Sequence, residues 1–339
     1  MKKRDKIILG AIVLLLVWII VWNILPVGTG NWNERQIQQI QSVNSSDHFC
    51  FAVLADNKNG FKTFDQIVED INKRKNFVFA IDVGDLVYDG EKEKYRIFYN
   101  EMSEANLPFL VGIGNHDITE NGRANYFDIF GNFYYSFSYN NSLFIVLDDA
   151  NQKDIDSQQM AFLESELKKD FANKFVFLHV PPFDPRGYVF YLGANRTAEH
   201  SLSDKENAQK FIDLVSKYNV TTVFTSHIHA YFNETKENVS YIITGGAGGE
   251  ILPSDPNHYF YHYINFCVNG NNTNYEIIKF PSPKPNSFSR LIHSAWLYSW
   301  YYIVVHRYEI AIVILMILLV LDAFYLQIKD FLKMRRKKK

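Results

Sequence analysis

The chain has 339 residues, 47% of them apolar, and a formal net charge of −2. This length and apolar content allow a full-sized buried core. The charge is unevenly placed: residues 27–290 carry 23 Lys and Arg against 33 Asp and Glu, a net charge of −10. An acidic middle segment argues against nucleic acid as the partner, because phosphate backbones are bound by basic surfaces.

The N-terminal end combines a basic start with an apolar run from Ile7 to Leu25, in which Asn23 is the one strongly polar residue. As a helix this run spans roughly 28 Å, close to the hydrocarbon thickness of a bilayer. A cleaved signal peptide is the alternative, but the run is long for one and residues 26–30 form a poor cleavage site. Residues 1–26 are therefore predicted to be a basic cytoplasmic tail and a transmembrane helix.

A second apolar run, from Ile310 to Leu326, is interrupted by Asp322 and followed by a basic cluster that ends the sequence. A buried amphipathic helix is the alternative, but the run has no polar face. Residues 308–339 are therefore predicted to be a second transmembrane helix with a basic tail. If both basic ends face the cytoplasm, the segment between the two helices lies on the other side of the membrane.

The segment between the helices is divided by composition. Residues 27–47 are predicted to be a polar stalk, residues 48–280 a folded domain, and residues 281–307 a proline-rich linker with an aromatic juxtamembrane part. Trp296 and Trp300 lie in that last part and suit a membrane–water interface.

Strand-like and helix-like stretches alternate through the folded domain. In chain order the predicted strands are 49–55, 77–83, 108–113, 134–139, 143–147, 175–178, 220–225, 241–244, 259–268 and 275–280. The predicted helices are 63–75, 91–105, 158–170 and 204–218. Near-continuous apolar strands indicate packed sheets covered by helices on the outside. The pattern predicts an α/β fold that becomes richer in β-structure towards its end.

Cys50 and Cys267 are the only two cysteines. An extracytoplasmic position permits a disulfide, but two cysteines in so long a chain are weak evidence for one. Two buried thiols are the favoured interpretation.

Short polar clusters follow five of the predicted strands. They contain, in order, Asp56; Gly84 and Asp85; Gly114, Asn115, His116 and Asp117; His179; and His227 and His229. Carboxylate, amide and imidazole groups are the ligands that a pair of borderline-hard metal ions requires. In open α/β sheets the carboxyl ends of the strands line the functional crevice. The clusters therefore predict one binuclear metal site.

With these motifs the chain resembles the calcineurin-like metallophosphoesterase superfamily over roughly residues 48–280. The resemblance implies a β-sandwich flanked by helices, here placed between two transmembrane helices. It implies that Asp85 bridges two ions, that Asp56 and His229 bind one ion, and that Asn115, His179 and His227 bind the other. His116 would be the catalytic histidine. The expected cofactors are two divalent or mixed-valence ions of Mn, Fe or Zn.

The first cluster departs from the family pattern. The family has Asp-x-His there, whereas this chain has Asp56, Asn57 and Lys58. A charged lysine cannot ligate a metal. Water would fill the vacancy, or another group would. Tyr88 is a candidate, since a tyrosine at this spacing ligates iron in the related purple acid phosphatases, but ordinary packing in the pocket is the favoured interpretation for Tyr88.

The expected activity is hydrolysis of phosphate mono- or diesters by direct attack of a hydroxide that bridges the two metals. His116 would donate a proton to the leaving alcohol or stabilise its charge. The two membrane helices favour a lipid or envelope phosphoester as the substrate. The alternative is a catalytically inactive, metal-stabilised binding or adaptor ectodomain, supported by Lys58. An unrelated nuclease is disfavoured by the acidic charge.

Four further residues are weaker candidates. Asp148 and Asp149 follow a predicted strand and are candidates for substrate or second-layer contacts. Arg186 is a candidate phosphate contact, and His200 lies in a polar insertion, residues 184–203, that is a candidate lid.

Overall fold

We describe the protein from a computed structural model. It describes residues 3–28, 30–43, 46–58, 60–186 and 200–337. Two compact units result: residues Val27–Tyr298 form one, and the two terminal segments form the other.

The secondary structure follows the predicted alternation. The helices are α1 Lys3–Ile24, α2 Trp32–Ser42, α3 Phe61–Lys73, α4 Lys92–Met102, α5 Gly122–Phe130, α6 Ser157–Leu167, α7 Lys205–Lys217, α8 Ser287–Val305 and α9 Arg307–Lys337. The strands are β1 His48–Leu54, β2 Phe77–Asp82, β3 Phe109–Val111, β4 Tyr135–Tyr139, β5 Ser142–Val146, β6 Asn173–Phe177, β7 Thr222–Thr225, β8 Tyr231–Lys236, β9 Val239–Thr244, β10 His262–Asn269 and β11 Asn272–Lys279.

The strands form two sheets. The first has the order β11-β10-β1-β2-β3, with β1, β2 and β3 parallel. The second has the order β4-β5-β6-β7-β9-β8, with β5, β6, β7 and β9 parallel. In each sheet the carboxyl ends of the parallel strands therefore lie at one edge.

Phenylalanines fill the space between the sheets. Phe51 of β1 stacks on Phe79 of β2 with ring centroids 5.1 Å apart, and it meets Phe144 of β5 edge-on at 5.4 Å. Phe175 and Phe224 extend the cluster on the second sheet. Each fully buried ring of this kind stabilises the fold by about 1.5–3 kcal/mol. The predicted sandwich is confirmed, and helices cover both outer faces.

The predicted thiols are not free. Cys50 and Cys267 form a disulfide between β1 and β10, so the expectation of two thiols is wrong. The two residues are direct partners in the antiparallel register of these strands. This pairing brings together residues 217 positions apart in the sequence, which local pattern cannot show.

The segment expected to be a stalk contains a packed helix. Strand β3 is the edge of the first sheet, and helix α2 covers it. Asn33 accepts a hydrogen bond from the Val111 N–H (3.0 Å) and donates one to the Val111 carbonyl (3.1 Å), and Gln36 accepts from the Phe109 N–H (3.2 Å). These amides complete the hydrogen bonding of an otherwise open strand edge. Residues 32–42 of the expected stalk thus form a helix that is bound to the sheet through Asn33 and Gln36.

The segment expected to be a linker is largely helical. Residues 281–286 have no regular structure, and α8 follows directly. Arg290 is 2% exposed and donates a hydrogen bond to the Tyr259 carbonyl (2.9 Å), so the first half of α8 packs on the domain.

The terminal unit contains two helices that are long and apolar enough to cross a membrane, over Lys3–Ile24 and Arg307–Lys329. Only 6% of the residues in the apolar window of each helix are buried, unlike those of a core helix. Asp322 is buried and forms an ion pair with Arg4. A carboxylate among apolar residues is costly unless it has such a partner.

Candidate metal centre

The five predicted clusters lie on loops that leave the carboxyl ends of β1, β2, β3, β6 and β7. Two groups of side chains converge there: Asp85, His179 and His227 in one, and Asp56, Asp85 and His229 in the other. Within each group the potential ligand atoms all lie within 4.8 Å of one another. Asp85 belongs to both groups, and a carboxylate can serve two cations at once. The two groups would therefore suit cations that share Asp85.

Four of these residues have left-handed backbone conformations. The φ angles are 60° at Asp56, 57° at Asp85, 67° at His227 and 53° at His229. Positive φ is uncommon for residues other than glycine, and such strain clusters at functional sites. The sharp turns aim the side chains back across the ends of the strands.

Asp117 connects the loop after β2 to the loop after β3 through hydrogen bonds. Its carboxylate accepts hydrogen bonds from the N–H groups of Asp85 (2.9 Å), Gly114 (2.7 Å) and Val87 (3.1 Å). Asp117 is fully buried. These three hydrogen bonds connect the turn that contains Asp85 to the loop that contains Asn115 and His116. The distance between the turn and the loop is therefore fixed.

His179 is oriented by its neighbours. Its Nε2 lies 3.3 Å from Asp85 Oδ1 and 3.2 Å from Asn115 Oδ1, while Nδ1 lies 2.8 Å from the Ser226 hydroxyl. The carboxylate of Asp149 accepts hydrogen bonds from the N–H groups of His179 and Val180. An Nδ1–H donated to Ser226 leaves Nε2 free as a ligand, the arrangement usual for metal-binding histidines. Although burial opposes it, the Asp85 carboxylate raises the pKa of His179 above its ordinary value.

His229 is oriented in the same way. Its Nδ1 lies 2.8 Å from the Glu250 carbonyl, and its Nε2 points at Asp56 Oδ1 from 3.5 Å. Burial lowers the pKa of His229 to about 4, so the ring is neutral and able to ligate.

Asp56 supplies the strongest test of whether a cation fits. Its side chain is completely buried, and its Oδ2 accepts a hydrogen bond from the His227 N–H (2.9 Å). Its Oδ1 has no hydrogen-bond partner among the described residues. Burial raises the pKa of Asp56, since an unpaired carboxylate is costly in such a place. A cation between Asp56, Asp85 and His229 would satisfy this orphaned oxygen, so the donor set fits a metal.

A glycine-rich segment closes the site on the side of β9. A Cβ atom at Gly245 would lie 2.4 Å from Asp56 Oδ2, and one at Gly249 would lie 2.6 Å from the Asp56 carbonyl. Only glycine permits this close approach of the chain to a ligand. The sequence analysis did not predict a role for this segment, although four glycines within residues 245–249 are a visible compositional signal.

His116 lies beside the two groups and faces the same space. Its backbone N–H donates to Asp85 Oδ1 (2.9 Å), and its Nδ1 lies 2.6 Å from the Tyr88 carbonyl. Nδ1 is therefore the protonated nitrogen, since a carbonyl only accepts. The Nε2 of His116 faces the Lys58 ammonium at 3.1 Å.

Lys58 and Tyr88 show how the first cluster departs from the family pattern. Lys58 Nζ lies 3.8 Å from Asp85 Oδ2 and 3.7 Å from Glu250 Oε1, and its side chain is 4% exposed. Although burial opposes it, these carboxylates raise the pKa of Lys58, so it carries a charge. The Tyr88 ring meets the Tyr298 ring of α8 edge-on, with centroids 5.3 Å apart. Tyr88 contributes its carbonyl to His116, and its role as an iron ligand stays a prediction.

The weaker candidates are also located. Asp149 supports His179 through the backbone, and Asp148 forms an ion pair with Arg123 (2.5 Å). Arg186 is held by Asp184 through two side-chain hydrogen bonds of 2.9 and 2.7 Å. The His200 ring lies 5.4 Å from the His227 ring, beside the candidate centre. Residues 187–199 of the predicted lid lie outside the described residues.

Comparison with known proteins agrees with this geometry. The family model of calcineurin-like phosphoesterases matches residues 49–231, more than half of the chain. A probable cyclic nucleotide phosphodiesterase of Fibrobacter succinogenes is 25% identical over 207 residues, covering 56% of this chain and 77% of the relative. Purple acid phosphatase 13 of Arabidopsis thaliana is 31% identical over 173 residues, covering 44% of this chain and 30% of the relative.

Among solved structures, a purple acid phosphatase from yellow lupin (Lupinus luteus) seeds superposes with a TM-score of 0.53 at 14% identity. The match covers 69% of this chain and 52% of the lupin chain, and it supports the fold alone. The resemblance predicted from the polar clusters is confirmed: the chain belongs to the calcineurin-like phosphoesterase family and is a metal-dependent phosphoester hydrolase.

Proposed function

We propose that the chain is a membrane-anchored phosphoesterase that hydrolyses phosphate mono- or diesters at a dinuclear metal centre. The observation that carries the proposal is the pair of ligand groups that share Asp85, together with the orphaned buried oxygen of Asp56. Asp56, Asp85 and His229 would hold one ion. Asp85, Asn115, His179 and His227 would hold the other. Two bound cations supply Lewis acidity and a nucleophile from water near neutral pH.

The proton that the leaving group needs would come from a residue of the chain. Hydrolysis forms a bond from a water-derived oxygen to phosphorus and breaks the bond to the ester oxygen, which leaves as an alcohol once protonated. His116 is the proposed proton donor: its Nδ1–H is held by the Tyr88 carbonyl, so Nε2 is the nitrogen that faces the site. Nε2 accepts a hydrogen bond from the Lys58 ammonium (3.1 Å), so it would first take up a proton and then pass it to the leaving oxygen.

Helix α8 supports a position at the membrane surface. Its inner face packs on the domain through Arg290, Ser294 and Leu297, all buried. Its outer face presents Phe288, Leu291, Ile292 and Trp296, between 54% and 74% exposed. An apolar outer face rich in aromatic residues suits the interface of a bilayer. The membrane substrate we propose is a lipid or envelope phosphoester, and both chain termini would be cytoplasmic.

The disulfide between Cys50 and Cys267 supports the extracytoplasmic position of the catalytic unit. Structural disulfides persist in oxidising compartments and are rare in the cytosol.

A binding or adaptor ectodomain without activity is the second candidate. The observation that favours it is Lys58, a cation beside the groups that would hold the first metal. His116 and its fixed ring orientation argue against it, since a purely structural site does not need that group.

The test uses the purified full chain in detergent or nanodiscs. Bound metals are measured, and hydrolysis of a synthetic phosphomonoester, a diester and a phospholipid in vesicles is compared. We expect bound transition metal and hydrolysis of at least one ester class. Bound metal without any hydrolysis would support the adaptor instead, and faster cleavage of soluble nucleotides than of any lipid would remove the lipid substrate.

A further inference from the structure

Lys58 has a buried ammonium group with little hydrogen bonding of its own. Among the described residues its one side-chain hydrogen bond is donated to His116 Nε2 at 3.1 Å. The carboxylates of Asp85 and Glu250, at 3.8 and 3.7 Å, lie within ion-pair distance but beyond hydrogen-bond distance. An ammonium has three N–H donors. Two donors are therefore available for oxygens that enter the site.

The neighbours of Lys58 hold it in this position. Glu250 attracts the ammonium from the side of the glycine-rich segment. Tyr298 of α8 packs edge-on against the Tyr88 ring, with ring centroids 5.3 Å apart, and so limits the movement of the loop that carries Tyr88. The charge is thus directed into the space beside His116, where the ester oxygen would lie.

We propose that Lys58 is a substrate-binding residue that donates hydrogen bonds to the phosphoryl group beside His116. This proposal rests on the proposed function. An oxygen within hydrogen-bond distance of His116 Nε2 can also reach Lys58 Nζ, because the two nitrogens are only 3.1 Å apart. A fixed cation there stabilises the negative charge that grows on the oxygens during ester cleavage. Lysine at this position would exchange the metal ligand of the family pattern for a direct contact to the phosphate.

The test compares Lys58→Met, which keeps the length of the side chain and removes its charge, with the parent chain. Lys153→Met is the matched control, since Lys153 is 68% exposed. Binding of inorganic phosphate is measured by calorimetry on the metal-loaded full chain, and metal content is measured in the same samples. We expect Lys58→Met to bind phosphate about 10- to 100-fold more weakly, as for a lost charge-assisted hydrogen bond, with its metal content unchanged.

Three results would overturn the proposal. Unchanged phosphate affinity in Lys58→Met would remove the contact. A gain of bound metal in that variant would mean that Lys58 excludes a cation instead of binding substrate. A loss of bound metal would mean that Lys58 supports the ligand loop. A parent chain with neither bound metal nor activity would refute the proposed function itself. An active parent chain together with normal phosphate binding by Lys58→Met would refute only the role of Lys58.

Discussion

The carboxylate of Asp117 provides the sharpest test of how the site is built. Its Oδ2 accepts hydrogen bonds from the N–H groups of Asp85 and Gly114, and its Oδ1 accepts one from the Val87 N–H (3.1 Å). In Asp117→Asn the amide oxygen can keep the first two hydrogen bonds. The amide NH2 then faces the Val87 N–H, so two donors oppose each other in a buried place.

The magnitude follows from these groups. Leaving the Val87 N–H and the new NH2 without acceptors costs about 1–3 kcal/mol each. We therefore expect Asp117→Asn to lower the free energy of unfolding by about 2–6 kcal/mol. Because the same carboxylate holds the turn of Asp85, metal affinity should also fall by about 10- to 100-fold, as for lost outer-layer partners of metal ligands.

The assay is thermal unfolding of the full chain, monitored by near-UV circular dichroism. Metal content is measured in the same preparations. Asp213→Asn is the matched control, because Asp213 is exposed on α7. Equal melting temperatures and equal metal contents for the two variants would show that Asp117 does not tie the two loops together.

Three further predictions test the site and the fold. His116→Asn should keep its bound metal while its turnover falls by about 10²–10⁴-fold, and normal turnover would contradict the role of His116. Asp85→Asn should lose bound metal, and full metal occupancy in that variant would contradict the role of Asp85. Replacing Cys50 and Cys267 together by Ser should lower the free energy of unfolding by about 2–5 kcal/mol in denaturant titrations, because the disulfide closes a long loop. An unchanged midpoint of denaturant unfolding would contradict this stabilising role of the disulfide. Glu101 is partly buried near Asp65, and burial raises its pKa to about 9. The folded chain must therefore take up a proton there above the unfolded pKa, so stability falls as pH rises from about 4.5 towards 9. Glu101→Gln should raise the melting temperature at pH 8 and leave it nearly unchanged at pH 4, and an equal effect at both values would refute this reasoning.

Local pattern was sufficient for most of the strands, although not for β8, and for most residues of the candidate site. Apolar runs that end in Asp56, Asp85, His179 or His227 indicate a strand followed by a polar turn, and parallel strands bring their carboxyl ends to one edge. The sequence therefore determined that these side chains could meet, and it pointed to the family through their order. It also marked both apolar terminal helices, because length and hydropathy are local properties.

Only the tertiary structure decided which distant groups touch. The disulfide depends on the register of β1 and β10, and the amides of α2 bind the edge of β3 instead of facing water as a stalk would. The support of Asp85 by Asp117 and the place of Lys58 beside His116 depend on how the loops fold over one another. Sequence pattern reports which way a side chain points along its own element, whereas these contacts depend on the packing of elements far apart in the chain.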